Sequence, residues 1–336
     1  MKKTKKIKMP VDAVVAVTYR CNSRCVMCNI WQIKDFPEVS PDVYLKLPNS
    51  LRDVNISGGE PFLRKDLPEI VRKIGWACPK AKINISTNGF LVDTIKKVLP
   101  EIKKIDPDIS ISISVDGIGQ MHEKIRRVPN AWNKVLETIR FCRDELEIKN
   151  IKFAFTLTDM NFQQLYQAYD WSKRLRVQFT MAVAHSSDIY FGKENVIDVD
   201  VGFLEKEFSK VIKKLLKSFR PKDWARAYFV DGLLKIVKGE RRPLESFAGE
   251  DFFYLDPNGD VYPSVIDNII MGNLEDCQEF EKLWFSRQAK KARVDIQGFE
   301  SNYWMVCTAR AAIKRNPIKV ANWIFKNKLP LDWWRK

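Results

Sequence analysis

Thr18-Tyr-Arg-Cys-Asn-Ser-Arg-Cys-Val-Met-Cys-Asn-Ile-Trp31 places three of the chain's seven cysteines, Cys21, Cys25 and Cys28, within one short loop. Packing gives little reason for such crowding, whereas a soft metal or an iron–sulfur cluster needs several thiolates converging on one point. Free cysteines also pack as small hydrophobes, and a reactive thiol with a resolving partner uses only two. Structural zinc wants four closed ligands, usually as two separated pairs, and no second pair accompanies this loop. A cubane cluster takes thiolates at its irons, so three cysteines would hold three irons and leave the fourth open to chemistry.

The chain is long enough, at 336 residues, to bury a sizeable core as one large domain or two ordinary ones. Apolar residues make up 45%, which argues for a globular chain. A formal charge of +15 favours an anionic partner: nucleic acid, a phosphorylated substrate or an acidic membrane surface. A solvated basic surface would give the same count. No run approaches the roughly 18 apolar residues of a membrane span. The basic opening Met1 to Pro10 leads into Val11 to Val17, which contains Asp12 and is too short for a secretory apolar region. The expected location is therefore the reducing cytoplasm.

Working outward from the cysteines, short β-branched runs predict buried parallel strands at Ala13 to Thr18, Asp53 to Ser57, Lys82 to Ser86, Ile109 to Val115, Ile151 to Leu157 and Val177 to Val183. Helical stretches are predicted near Pro41 to Leu47, Leu67 to Trp76, Val92 to Ile105, Ala131 to Leu146 and Phe162 to Leu175. The alternation predicts an α/β fold, a partial (β/α)6 TIM-like barrel over residues 1–200. Barrels carry their chemistry in the loops after the strands. The cysteines follow the first strand, Ser57-Gly58-Gly59-Glu60-Pro61 the second, Ser86-Thr87-Asn88-Gly89 the third and Ser114-Val115-Asp116-Gly117 the fourth. Gly58 and Gly59 allow close backbone approach, and Glu60 offers a carboxylate to an ammonium group. Read alone, each of these segments is also an ordinary turn.

Cys-x3-Cys-x2-Cys directly after an apolar strand, with Gly-Gly-Glu-Pro after the next, resembles the radical S-adenosylmethionine (SAM) superfamily. The resemblance implies one [4Fe-4S] cluster on Cys21, Cys25 and Cys28, with SAM at the open iron. It places Met27 near the adenine and the Gly58-Gly59-Glu60 turn on the SAM amino group. Ser86, Asn88, Ser114 and Asp116 would then meet the methionine and ribose parts. Arg126, with Arg127 beside it, would pair with the SAM carboxylate. A reduced cluster would cleave SAM to methionine and a 5′-deoxyadenosyl radical that removes a hydrogen atom from an unactivated carbon. His185, after the sixth strand, is the substrate-side catalytic candidate, with a structural role as the alternative. His122 reads as a surface or capping residue, and Cys78 and Cys142 as packing residues.

Residues 201–240 read as a helical connection. Residues 241–310 form a compact second unit, with a hairpin at Phe252 to Pro263 around an Asp-Pro-Asn-Gly turn. That small α+β unit resembles the SPASM or twitch extension of the family. Ser246 and Ser264 stand where cysteine is usual, and Tyr303 falls beside the tryptophan where another is common. Cys277 and Cys307 alone are too few for a second cubane. The expectation is a kept shape and a lost cluster, which favours isomerisation or epimerisation over an oxidation. The tail at 311–336 mixes basic and aromatic residues, as a membrane interface would suit, or as docking on the chain's own barrel would.

The expected partners are an anionic small-molecule or lipid-linked substrate, such as a nucleotide- or lipid-linked sugar, and an electron donor such as flavodoxin or ferredoxin. A peptide-modifying maturase is an alternative enzyme. A bare iron–sulfur electron carrier or a basic RNA-binding module are non-enzymatic ones. The Gly-Gly-Glu-Pro turn and strand-end polar groups speak against the carrier, and no aromatic stacking signature supports RNA binding.

Overall fold

The computed structural model describes residues 7–187, 195, 197–297 and 302–328. Six parallel strands form first: β1 (Asp12–Ala16), β2 (Asp53–Ser57), β3 (Lys82–Thr87), β4 (Ser110–Ser114), β5 (Ile151–Leu157) and β6 (Gln178–Val183), paired in sequence order. Their register aligns Val15, Ile56, Ile85, Ile111 and Ile151 in one row, each at most 3% exposed. This row and its neighbours pack beneath helices at Leu67–Ala77, Val92–Ile105, Ala131–Arg140 and Leu165–Arg174. Alternate positions face the other way: Asn55, Asn84, Ser86, Ser112, Ser114, Lys152 and Thr156 line a cavity inside the curled sheet. The strands are thus apolar on the helix-covered face, while the interior they enclose mixes these polar side chains with apolar ones such as Val14, Ala154 and Ala182.

Local backbone differs from the expected helices in three places. Pro41–Lys46 and Phe162–Gln164 are tight 3₁₀ turns, and the helix from Ala131 becomes a π turn over Phe141–Glu145.

The C-terminal unit continues the sheet of the barrel. Strand β7 (Phe252–Leu255) pairs in parallel with β1, and β8 (Asp260–Tyr262) and β9 (Gly272–Asn273) continue the sheet antiparallel to a total of nine strands. Physically, β7 covers the edge that β1 would otherwise present to water, and all four of its residues are 0% exposed. Two helices, Val201–Leu216 and Pro221–Val237, precede it. Trp304 packs on the second at Gly232, where an added Cβ would meet its ring at 2.3 Å, and donates its Nε1–H to the Phe229 carbonyl at 2.9 Å.

The described part of the tail packs back on the chain itself: helix Val306–Arg315 lies against β1 and β7, and helix Pro317–Lys328 against the helices Val201–Leu216 and Pro221–Val237. Arg310 pairs with Asp12 at 2.5 Å and Asp53 at 2.9 Å, Trp323 packs edge-on against Tyr228 at 5.3 Å, and Lys328 Nζ donates to the carbonyls of Leu216 and Ser218. Trp333 and Trp334 lie outside the described residues. Among the described residues no helix is long and apolar enough to cross a membrane.

Candidate active site

The cysteine loop is clamped from both sides by backbone. On one side, Gly59 N–H donates to the Thr18 carbonyl at 2.7 Å and Glu60 N–H to that of Arg20 at 2.8 Å. The approach is so close that a Cβ on Gly58 would lie 2.2 Å from the Thr18 oxygen, and one on Gly59 2.2 Å from the Arg20 oxygen. Gly58 also sits at φ +129°, a region side chains disfavour. On the other side, helix Gln120–Arg126 closes on the loop: Val26 N–H donates to the Ile125 carbonyl at 2.9 Å and Ser23 Oγ to that of Arg126 at 2.8 Å.

So held, Cys21, Cys25 and Cys28 all line one cavity of about 740 Å³. Among the described residues, no three His, Cys, Asp or Glu side chains are placed to hold a single metal ion. Thiols spaced along a cavity wall suit a cluster, whose ligands bind different irons. Burial pushes the Cys21 thiol up to about 12, so it ionises when a metal displaces the proton. Arg126 Nη1 donates to Cys25 Sγ at 3.5 Å. Its Nε is buried with no hydrogen-bond partner among the described residues. An orphan guanidinium donor on the wall, beside a glycine turn without side chains, fits a ligand carrying a carboxylate.

Met27, Gly58, Gly59, Ser86, Asn88, Ser114, Arg126 and His185 line this same cavity. Ser86 Oγ donates to Asn55 Oδ1 at 2.9 Å, and Asn88 Nδ2 to Asn22 Oδ1 at 2.7 Å. His185 Nδ1 lies 3.1 Å from the Ser186 carbonyl, and its ring meets the edge of Tyr303 at 5.7 Å. Burial drives its pKa down to about 4, so it is neutral at physiological pH.

Three residues behave differently from expectation. Glu60 is 0% exposed and does not line the cavity. Its carboxylate accepts from Thr87 Oγ at 2.8 Å, Asn88 N–H at 2.7 Å and Phe62 N–H at 3.2 Å, fastening the second strand end to the third. Asp116, also 0% exposed and off the cavity wall, accepts from Thr156 N–H at 2.8 Å and pairs with Arg126 Nη2 at 2.5 Å, so it positions the arginine. His122 is buried rather than on the surface, its Nδ1 accepting the Asp116 N–H at 3.0 Å. Each of the three accepts a backbone N–H, from Asn88, Thr156 or Asp116, that becomes visible only when the elements are side by side.

The sequence reading missed Asn55, Asn84, Ser112 and Lys152 on the inner face, and Arg310 from the tail. The signal was there in the alternation of Ser110-Ile-Ser-Ile-Ser114 and Lys82-Ile-Asn-Ile-Ser86. Of the two thiols expected to remain for a second site, Cys307 lines this same cavity, while Cys277 donates to the Leu274 carbonyl in a turn elsewhere. Cys78 and Cys142 are buried in the main core.

Residues 15–171 match the radical SAM superfamily. The chain is 32% identical to Fe-coproporphyrin III synthase of Methanosarcina barkeri over 174 residues, 49% of this chain and 41% of that enzyme. It is 26% identical over 321 residues to a probable GTP 3′,8-cyclase of Metallosphaera sedula, covering 90% of this chain and 97% of the relative. Streptococcus suis SuiB bound to S-adenosylmethionine shares the fold, with a TM-score of 0.64 at 14% identity over 85% of this chain and 68% of SuiB. Residues 15–171 therefore form a radical SAM superfamily domain, and the enzymes of that superfamily use a [4Fe-4S] cluster and S-adenosylmethionine.

Proposed function

We propose that the chain is a radical SAM enzyme that removes a hydrogen atom from an unactivated carbon of an anionic substrate held inside the barrel. One observation carries the substrate class: among the described residues, the charged side chains lining the cavity are Arg126, Lys152 and Arg310, all cationic. In a low-dielectric interior such a field favours anions far more than it would in water.

Cys21, Cys25 and Cys28 would hold the cluster, which with SAM supplies a carbon-centred radical. Arg126, oriented by Asp116, offers its free Nε–H to the SAM carboxylate. Gly58 and Gly59 keep side chains out of the approach. Neutral His185, with Tyr303 beside it, serves as a hydrogen-bonding group on the substrate side. Phe155, Met181, Leu233 and Ile236 supply apolar wall that excludes water.

We further read the C-terminal unit as carrying no second cluster, because Cys277 and Cys307 occupy different surroundings and Ser264 is fully buried. An isomerisation or epimerisation follows more readily than an oxidation, and a nucleotide- or lipid-linked sugar fits both the charge and the cavity. A flavodoxin or ferredoxin would supply the reducing electron. Anaerobic reconstitution, reduction and incubation with SAM tests the reading: methionine and 5′-deoxyadenosine should appear, and neither forming would overturn it. Iron near four rather than eight atoms per chain tests the single cluster.

A further inference from the structure

Below the cysteines, the barrel floor carries a polar cluster whose members are not among the residues read above as SAM contacts. Asn55 of β2, Asn84 of β3, Ser112 of β4 and Lys152 of β5 enter the cavity from consecutive strands. Asn84 is its hub. Its Nδ2 donates to Asn55 Oδ1 at 2.5 Å, and its Oδ1 accepts from Ser112 Oγ at 3.0 Å and from Lys152 Nζ at 2.5 Å. Asn55 precedes Gly58 by three residues, so at a strand rise of about 3.3 Å per residue the floor lies roughly 10 Å beneath the glycine turn.

Lys152 is unusual in this position. An ammonium has three donors, yet among the described residues its hydrogen-bond partner is a neutral amide oxygen. Its charged surroundings are Lys222, Arg310 and Arg226, offset in part by Asp53, and burial together with these cations lowers its pKa to about 8. A half-buried cation that has no ion-paired carboxylate among the described residues is costly unless something supplies the anion. Arg310 lines the same cavity from the C-terminal helix, and its Nε is buried without a hydrogen-bond partner among the described residues. Lys152 and Arg310 therefore bring two cationic side chains to one amide- and hydroxyl-bearing part of the cavity wall.

We infer that the barrel floor is an oxyanion subsite, in which Lys152, ordered by Asn84, and Arg310 bind the carboxylate or phosphate end of the substrate, leaving its reacting carbon some 10 Å above. This rests on the barrel interior being the substrate cavity. It makes the substrate an elongated molecule with a terminal oxyanion, rather than one recognised at its reacting end alone.

Inorganic sulfate is a suitable probe because its charge is constant over the relevant pH range. Isothermal titration of the reconstituted, SAM-loaded protein with sulfate should show binding that weakens at least tenfold in Lys152→Met and stays within about threefold in Lys152→Arg. Wild-type affinity should fall about tenfold between pH 7 and pH 9, as an amine titrating near 8 loses its proton. A Lys152→Met protein that unfolds at the wild-type temperature and binds sulfate equally well overturns the inference. So does a wild-type affinity that is flat with pH, which decides the matter if the methionine variant fails to fold. Failure of the radical SAM reading would show separately, as no methionine from the same wild-type preparation reduced with SAM.

Discussion

Replacing Gly59 with alanine adds one methyl group at the point where the glycine turn meets the cysteine loop. The new Cβ would stand 2.2 Å from the Arg20 carbonyl oxygen and 2.6 Å from that of Tyr19, where Cβ contacts essentially never fall under 3.0 Å. Both obstacles are backbone, so no rotamer relieves them, and the Arg20 carbonyl must retreat by most of an ångström. That movement breaks or stretches the Glu60 N–H to Arg20 and Gly59 N–H to Thr18 bonds. Each is worth about 0.5–1.5 kcal/mol, and overpacking adds about 1–3 kcal/mol, giving about 2–6 kcal/mol in all. Arg20 adjoins Cys21, so the first thiol shifts with it. Gly75 provides the control: it lies in helix Leu67–Ala77 and a Cβ there meets nothing within 4 Å, so Gly75→Ala should stabilise by about 0.5–1 kcal/mol. Thermal unfolding of the two apo variants, followed by iron analysis after anaerobic reconstitution, reads both effects. The expected result is a lower unfolding temperature and less bound iron for Gly59→Ala only. Wild-type stability and iron in Gly59→Ala would refute the clamp.

Changing any of Cys21, Cys25 or Cys28 to serine should leave the fold intact and sharply reduce the iron retained after desalting, as measured by elemental analysis; iron equal to wild type in all three would remove the cluster site from this loop. Glu60 is raised from its ordinary 4.5 to about 7, chiefly by burial and against its three donors. Because the folded value is the higher one, the stability it contributes is complete below pH 4.5 and is lost as pH rises through 7, at up to about 1.4 kcal/mol per unit. Denaturant midpoints of the apo chain should therefore fall between pH 5 and 7 by more than those of Glu60→Gln, and parallel curves would contradict this. Asp116→Asn removes the counter-charge of a buried guanidinium and should cost about 3–5 kcal/mol, together with weaker SAM retention by equilibrium dialysis; unchanged stability would mean that Arg126 does not depend on it.

The six barrel strands were legible because each is a short β-branched run bounded by turn residues. The order of the site followed, since chemistry collects in the loops after strands. Burial of particular polar groups was not legible. Glu60, Asp116 and His122 have the residue types of ligands, and only the neighbouring strand or helix, supplying Asn88 N–H to Glu60, Thr156 N–H to Asp116 and the Asp116 N–H to His122, turns them into fasteners. Lys152 was overlooked for a related reason: parallel strands are expected to be apolar on both faces, and the alternation Ile151-Lys-Phe-Ala-Phe-Thr-Leu157 contradicts that expectation at one face only. The parallel pairing of β7 with β1 joins segments that lie far apart in sequence, and nothing local to either announces the other.

That distant pairing also explains how the cavity acquires its charge. A formal excess of +15 says nothing about where the cations sit, and most of them are solvated. With β7 beside β1, the helix Val306–Arg315 crosses the start of the first two strands, where Asp12 and Asp53 anchor Arg310 at the barrel floor. Arg126 is anchored by Asp116 in the same manner at the upper level. Each arginine thus has its charge balanced by a carboxylate behind the wall while an Nε–H remains unfilled. The arrangement lowers the desolvation cost of lining a barrel with cations without surrendering their capacity to bind. Among the described residues Lys152 has no such ion-paired carboxylate and is held by an amide, so of the three cations it depends most on an incoming anion for its counter-charge.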